Sequence, residues 1–337
     1  MDKEQFHQLQ LLGFYGILRE SFTITFSKWK IFSQITILTI FPLCLLFLAH
    51  LQVSNLLFPN IIDHNEEALH RTHQDFSSDH ATISSEIVVF WLIKTAYFFL
   101  FLVLSMLSTS AVVCIVACDY TRKETTFMDV MIIVVPHVWK RLVVTFAWSF
   151  IVVLAYNVVA FMTLLPPLTS SAISRPSTAR VVLSGIVFVM YVVGFVYISI
   201  IWHLATVVSV LEQECGIEAM MKSKELVRGK MAVSGGVFLF LNSCFVLVQV
   251  GLERFVVVVG DQSFWGRIGC GIVGLLLLCG LTLLGLIVQT VVYFVCKSCH
   301  GEDVGNLCSG NDDPVEVYLG DYALLRSEDV RFEQLYV

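Results

Sequence analysis

Six stretches of the chain are almost free of charged residues, at approximately 31–52, 87–118, 142–165, 181–211, 231–252 and 269–296. About 20 apolar residues in helical form cover the roughly 30 Å of a bilayer's hydrocarbon, so each stretch predicts one spanning helix. Several are longer than a perpendicular span needs, which predicts tilt or helix running past the bilayer. Ahead of the first span, Phe6, Leu11, Phe14, Leu18, Phe22, Phe26 and Trp29 recur at the three-to-four-residue spacing of an amphipathic helix, with Arg19, Glu20, Lys28 and Lys30 off the stripe. This segment reads either as a helix lying on the cytosolic leaflet or as one packed on the cytosolic mouth of its own bundle.

Composition agrees with the pattern: of 337 residues, 57% are hydrophobic and only 14% charged, against roughly 45–50% apolar in a soluble domain. The expected fold class is all-α, a polytopic six-helix transmembrane bundle with amphipathic cytosolic interface helices. Its parts are an amphipathic N-terminal helix over 1–30, a transmembrane domain over 31–298 and an acidic tail over 299–337. Orientation follows from cations outside the spans. Alternating the loops places fifteen Lys and Arg residues on one side and five on the other, and the richer side faces the cytosol. Both termini are therefore expected there, in a plasma or endomembrane reached through the endoplasmic reticulum. The opening ten residues lack the short apolar core of a signal peptide. No basic face suits nucleic acid, so direct nucleic-acid binding is not expected.

Within this frame the connection Gly216–Gly236 carries the most chemistry. Glu218, Lys222 and Glu225 are spaced for ion pairs along one helix, with Glu212, Glu214, Lys224, Arg228 and Lys230 around them. Ile217, Met220, Met221, Leu226 and Val227 form its apolar side, against the bundle or the lipid. Lys224, Arg228 and Lys230, with Lys140 and Arg141 at the mouth of the third span, are candidate ligands for lipid phosphate, each worth about 1 kcal/mol near an anionic leaflet. They serve equally as ordinary positive-inside anchors.

Polar groups inside spans are costly. Lys94, Asn157, His203, Asn242, Gln249 and Gln289 are the candidates, and if all face inward they line a polar seam through the bundle. Separate interhelical hydrogen bonds, and snorkelling for Lys94, are the simpler account. No Asp or Glu lies deep within any of the six spans.

The run "VCKSCH" sets Cys296, Cys299 and His300 in C-x-x-C-H spacing. At the cytosolic end of the last span this does not predict haem attachment, and it completes a zinc shell only with Cys308. Palmitoylation of Cys296 and Cys299, or simple burial of the thiols, suits the position better. The loop with His64, His70, His73 and His80 among acidic residues reads as a solvated, charge-rich segment, with Zn²⁺ or Cu²⁺ binding as the rival. No metal or cofactor is assigned. The tail holds nine acidic residues against Arg326 and Arg331; an anionic leaflet repels it, and it is free to meet the basic loops or a protein partner.

Hydrolase, nucleotide and zinc-protease signatures are missing from the sequence, so the chain is not expected to be an enzyme. Two functions are expected to compete. The first is a non-enzymatic membrane protein that organises lipids or partner proteins at the cytosolic face; the second is a small-molecule or ion transporter using the polar seam.

At "LLGFYGILRESFTITFSKWKIFSQIT", "GIEAMMKSKELVRGKM", "VVYFVCKSCH" and "EVYLGDYALL" the chain resembles a plant family of uncharacterised six-span transmembrane proteins, sometimes labelled polyadenylate-binding protein-binding protein. More distantly, Ala219, Ser223, Leu226, Gly229 and Lys230 resemble a pattern in the membrane domain of proteins related to glycerophosphodiester phosphodiesterases. That resemblance implies a shared membrane architecture. It implies no phosphodiesterase activity, because the motif lies outside the catalytic domain of those proteins.

Overall fold

The computed structural model describes residues 11–50, 78–120, 130–131, 135–173, 178–212, 214–258 and 264–300. The histidine-rich loop and the acidic tail lie outside the described residues, and so does the side chain of His80. Every element described is helical: α1 Phe14–Ser27, α2 from Trp29–Ile35 through a π-helical turn Thr36–Ile40 to His50, α3 Ser78–Tyr120, α4 Val135–Ile173, α5 Thr178–Leu211, α6 Ile217–Val227, α7 Met231–Val258 and α8 Phe264–Cys299.

Six of them are long and apolar enough to cross a membrane, over Trp29–His50, Trp91–Tyr120, Val138–Thr163, Val182–Leu211, Met231–Leu252 and Ile268–Cys299. At 1.5 Å per residue, the 43 residues of α3 make a rod of about 65 Å, twice the hydrocarbon thickness. Local chemistry accounts for the boundaries. Pro136 is tolerated because it falls in the first turn of α4, where its missing N–H has no intrahelical partner to lose. Between α1 and α2, the N–H of Lys28 still bonds the Ile24 carbonyl, so the chain tightens without leaving helical form.

The chain divides into two compact units, each described by itself. Unit 1 holds 1–32, 109–247 and 283–337. In its core the runs 111–118, 204–212 and 287–298 are buried without interruption. These are the ends of α3, α5 and α8, buried all round although the last two carry polar and charged residues that need partners there. Around them, Ile17 and Ile24 of α1, Leu142 of α4, Ala219 and Leu226 of α6 and Val237 of α7 are also buried.

Unit 2 holds 33–108 and 248–282. Ile35, Thr39 and Ile40 of α2 are fully buried in it, and the Thr39 hydroxyl donates back to the Ile35 carbonyl at 2.9 Å. Cys44 Sγ lies 3.7 Å from Thr282 Oγ1 of α8.

Candidate functional site

Among the described residues, the richest polar cluster lies in unit 1, where α5 gives way to α6. Glu212 follows the last residue of α5 and is only 8% exposed. A carboxylate at that depth needs partners, because desolvation of an unpaired ion costs several kcal/mol. Lys297 Nζ donates to its Oε1 at 2.8 Å, and the Tyr293 hydroxyl donates to the same oxygen. Lys297 and Tyr293 are one turn apart on α8, so a single helix face presents both. Lys222 of α6 brings its Nζ within 2.6 Å of Oε2, a charge contact outside hydrogen-bond alignment, and within 3.1 Å of Glu214 Oε1.

Burial pushes the Glu212 carboxyl up, but Lys297, Lys222 and Tyr293 outweigh it and hold it below the usual carboxylate range. Burial works against the Lys222 ammonium in turn, and Glu212 with Glu214 carry it above the usual lysine value.

Backbone contacts complete the clasp. Arg141 Nη1 donates to the Glu212 carbonyl at 2.9 Å, and the Gly216 N–H donates to Thr145 Oγ1 at 2.9 Å. Gly216 has φ +64, and a Cβ there would come within 2.9 Å of Trp148 and 3.3 Å of Val144. Both the left-handed backbone and the close approach call for glycine.

Held in this way, α6 has two distinct faces. Ala219, Ser223, Leu226 and Val227 are buried, with the Ser223 hydroxyl satisfied by the Ala219 carbonyl. On the opposite side Ile217, Met221, Lys224 and Arg228 follow one another at three- or four-residue steps, and all four are exposed. At the far end His300 Nε2 donates to the Leu226 carbonyl at 3.1 Å, and Lys230 Nζ reaches the Leu12 carbonyl at 3.4 Å.

The helix α1 is also two-faced. Ile17, Ser21 and Ile24 point inward. Tyr15 (84% exposed), Phe22, Phe26 (73%) and, just beyond the helix, Trp29 point outward, with Arg19 beside them. Of the aromatic stripe read from the sequence, Phe14 turns partly inward, its ring edge-on to Phe240 of α7 at 5.8 Å. One side of this segment is thus packed within unit 1 and the other is open. Near its end Lys28 pairs with Asp119 of α3 at 3.7 Å. Burial, then Asp119, raises the Glu20 carboxyl above its ordinary range, against the opposing pull of Arg19.

The lipid candidates divide accordingly. Lys140, Lys224 and Arg228 are exposed, whereas Arg141 is engaged by the Glu212 carbonyl and Lys230 by Leu12. The expected ladder of Glu218, Lys222 and Glu225 gives way to Lys222 with Glu212 and Glu214, because a buried carboxylate holds a cation more strongly than a solvated one.

Of the intramembrane polar candidates, His203 Nδ1 and Gln289 Oε1 meet at 3.1 Å in unit 1. Lys94 Nζ meets His50 Nε2 at 3.3 Å in unit 2, where the His50 ring stacks on Tyr97. Asn157 accepts from the Tyr191 hydroxyl at 2.9 Å. Asn242 bonds the Phe238 carbonyl of its own helix, and Gln249 is half-buried on α7. Cys296 is fully buried with Sγ 3.8 Å from Ser234 Oγ, while Cys299 is exposed. Acylating Cys296 requires opening that contact; acylating Cys299 does not.

Sequence reasoning missed the clasp. In the sequence Glu212 stands only among the charges around the α6 ladder and Lys297 only among the cytosolic cations; the one-turn spacing of Tyr293 and Lys297 signals that those two share a face, and nothing in the sequence joins Glu212 to them. A family model described as a domain of unknown function (DUF8558) matches residues 1–335. No curated protein and no solved structure matches the chain.

Proposed function

The chain belongs to this family of unknown function, with six helices able to cross a membrane, and from that premise we propose that it is a non-enzymatic membrane protein that gathers anionic lipid at the cytosolic leaflet. The observation that carries the reading is the open face of α6, where exposed Ile217 and Met221 are followed by exposed Lys224 and Arg228, with Glu218 and Glu225 exposed beside them. Apolar side chains with cations one turn further along suit the boundary where acyl chains meet phosphate. The outward aromatic side chains of α1 suit the same depth, since Tyr and Trp prefer headgroup level. The cationic excess on one side supports a cytosolic location for both helices.

The resemblance to the glycerophosphodiester phosphodiesterase membrane domain fits this reading. Ala219, Ser223 and Leu226, three of the residues that carry it, are on the buried face of α6 and seat the helix. A likeness in packing carries no catalytic role. The transporter reading rests on one observation: Gln289 Nε2 is buried beside His203 with no hydrogen-bond partner among the described residues.

The test is lipid retention. The full chain is purified from nanodiscs of phosphatidylcholine containing phosphatidylserine, and bound lipid is counted by native mass spectrometry. The Lys224→Gln and Arg228→Gln variants are each expected to retain phosphatidylserine about fivefold less, as loss of ~1 kcal/mol per cation implies. Lys140→Gln provides the comparison outside α6. Equal retention in all three variants and the wild type removes the reading.

A further inference from the structure

We propose that the acidic segment following His300 docks on Lys224 and Arg228 and competes there with anionic lipid, which makes it a built-in regulator of the α6 face. The inference rests on the lipid reading of that face but has its own observation: the place where the segment leaves the fold. His300 Nε2 is bonded to the Leu226 carbonyl. The chain beyond His300 therefore starts beside the last turn of α6. Lys224 and Arg228 are each two residues from Leu226, about 3 Å along the helix axis but on the opposite side of the helix, so the segment reaches them by passing around the end of α6. Neither makes an ion pair with a described residue and both are exposed, on a face that Glu218 and Glu225 share.

Charge favours this occupant. Residues 301–337 carry Glu302, Asp303, Asp312, Asp313, Glu316, Asp321, Glu328, Asp329 and Glu333 against two arginines. An anionic leaflet repels such a segment, so the tail and the lipid headgroups exclude one another from the same cations. Reach is no obstacle: the twelve residues from His300 to Asp312 span up to about 40 Å when extended. Tethering and the number of carboxylates in the segment add to what a single exposed ion pair contributes. One such pair is worth only some tenths of a kcal/mol, but a short tether holds its partner at an effective concentration on the order of millimolar. The contact is screened by salt, as every exposed charge contact is.

Two measurements on the full chain test it. In phosphatidylcholine nanodiscs, a carbodiimide joins carboxylates to amines in direct contact. Mass spectrometry is expected to find Lys224 joined to Asp312, Asp313 or Glu316 several times more often than Lys140 is, with the excess lost in phosphatidylserine nanodiscs. In the second, Asp312→Asn, Asp313→Asn and Glu316→Gln are combined, and retained phosphatidylserine is expected to rise by up to about fivefold per cation released.

Cross-links no more frequent at Lys224 than at Lys140 overturn the proposal. So does a triple variant with unchanged lipid retention when Lys224→Gln lowers it. If Lys224→Gln leaves lipid retention unchanged while the cross-link forms, docking stands and the lipid reading is the part that fails.

Discussion

The helix α5 is held in two different ways along its length, and the contrast shows where this protein can use charge. Towards its start, α5 meets α4 through neutral groups: Tyr191 Oη donates to Asn157 Oδ1, Tyr156 Oη donates to the Tyr191 carbonyl, and the two tyrosine rings stack at 5.7 Å. Gly194 opens the space that Tyr156 Oη occupies. Around this contact no described side chain of 150–163 or 182–199 is buried, and the outer faces are long rows of exposed Val, Leu, Ile and Phe. At its other end α5 runs into the Glu212 clasp, where one acidic and two basic side chains converge amid a continuous core.

Neutral hydrogen bonds suit the first region because a charge facing hydrocarbon has nothing to repay its lost hydration. Charges suit the second because every ion there meets an opposite ion or an aligned donor. The two regions should therefore fail very differently.

The largest effect is expected at the clasp. Glu212→Ala leaves Lys297, only 6% exposed, buried without its carboxylate, and breaking a buried pair costs about 3–5 kcal/mol. Reversible unfolding of the full chain in mixed micelles measures it. Pairing Glu212→Gln with Lys297→Met is expected to recover at least half of the loss, since removing both charges spares the desolvation of either. A single-variant loss below about 1 kcal/mol would mean that the clasp is decoration.

The next effect is its pH dependence. Glu212 has its pKa depressed in the fold, so its contribution is complete above the unfolded value of about 4.3 and drains away as pH falls through the lower folded value. Lys222 has its pKa raised, so its contribution is complete below about 10.4 and is lost as pH rises through the higher folded value. Between those limits the clasp's share of stability should be level. Thermal unfolding scanned over pH, wild type minus Glu212→Gln, isolates the acid limb; a difference that grows on acidification contradicts the assignment.

The smallest effect is at the neutral contact. Tyr191→Phe removes one interhelical hydrogen bond, worth about 0.6 kcal/mol on average within a membrane. The same unfolding assay should show a loss that does not vary over the level pH range. A loss as large as that of Glu212→Ala would erase the contrast between the two regions.

Much of this architecture was legible in the residues alone. Six runs almost free of charge dictate six spanning helices, because hydrocarbon tolerates no unpaired backbone and few ions. The two amphipathic helices were also readable, since a three-to-four-residue period is a local property of the chain. Which side of each helix turns inward was only partly so. The aromatic positions of α1 formed one stripe in sequence, yet Phe14 turns towards Phe240 while Phe22 and Phe26 stay open, and Ile17, Ser21 and Ile24 form the seat.

The pairing of charges lay beyond the sequence altogether. Lys222 had nearby partners at helical spacing in Glu218 and Glu225, and those pairs cost no chain closure. It is instead drawn to Glu212, which Lys297 approaches from 85 positions away. Periodicity is set by each residue's own neighbours and so is written locally. The strength of an ion pair depends on how much water surrounds it, and that is decided only when distant helices close over the carboxylate.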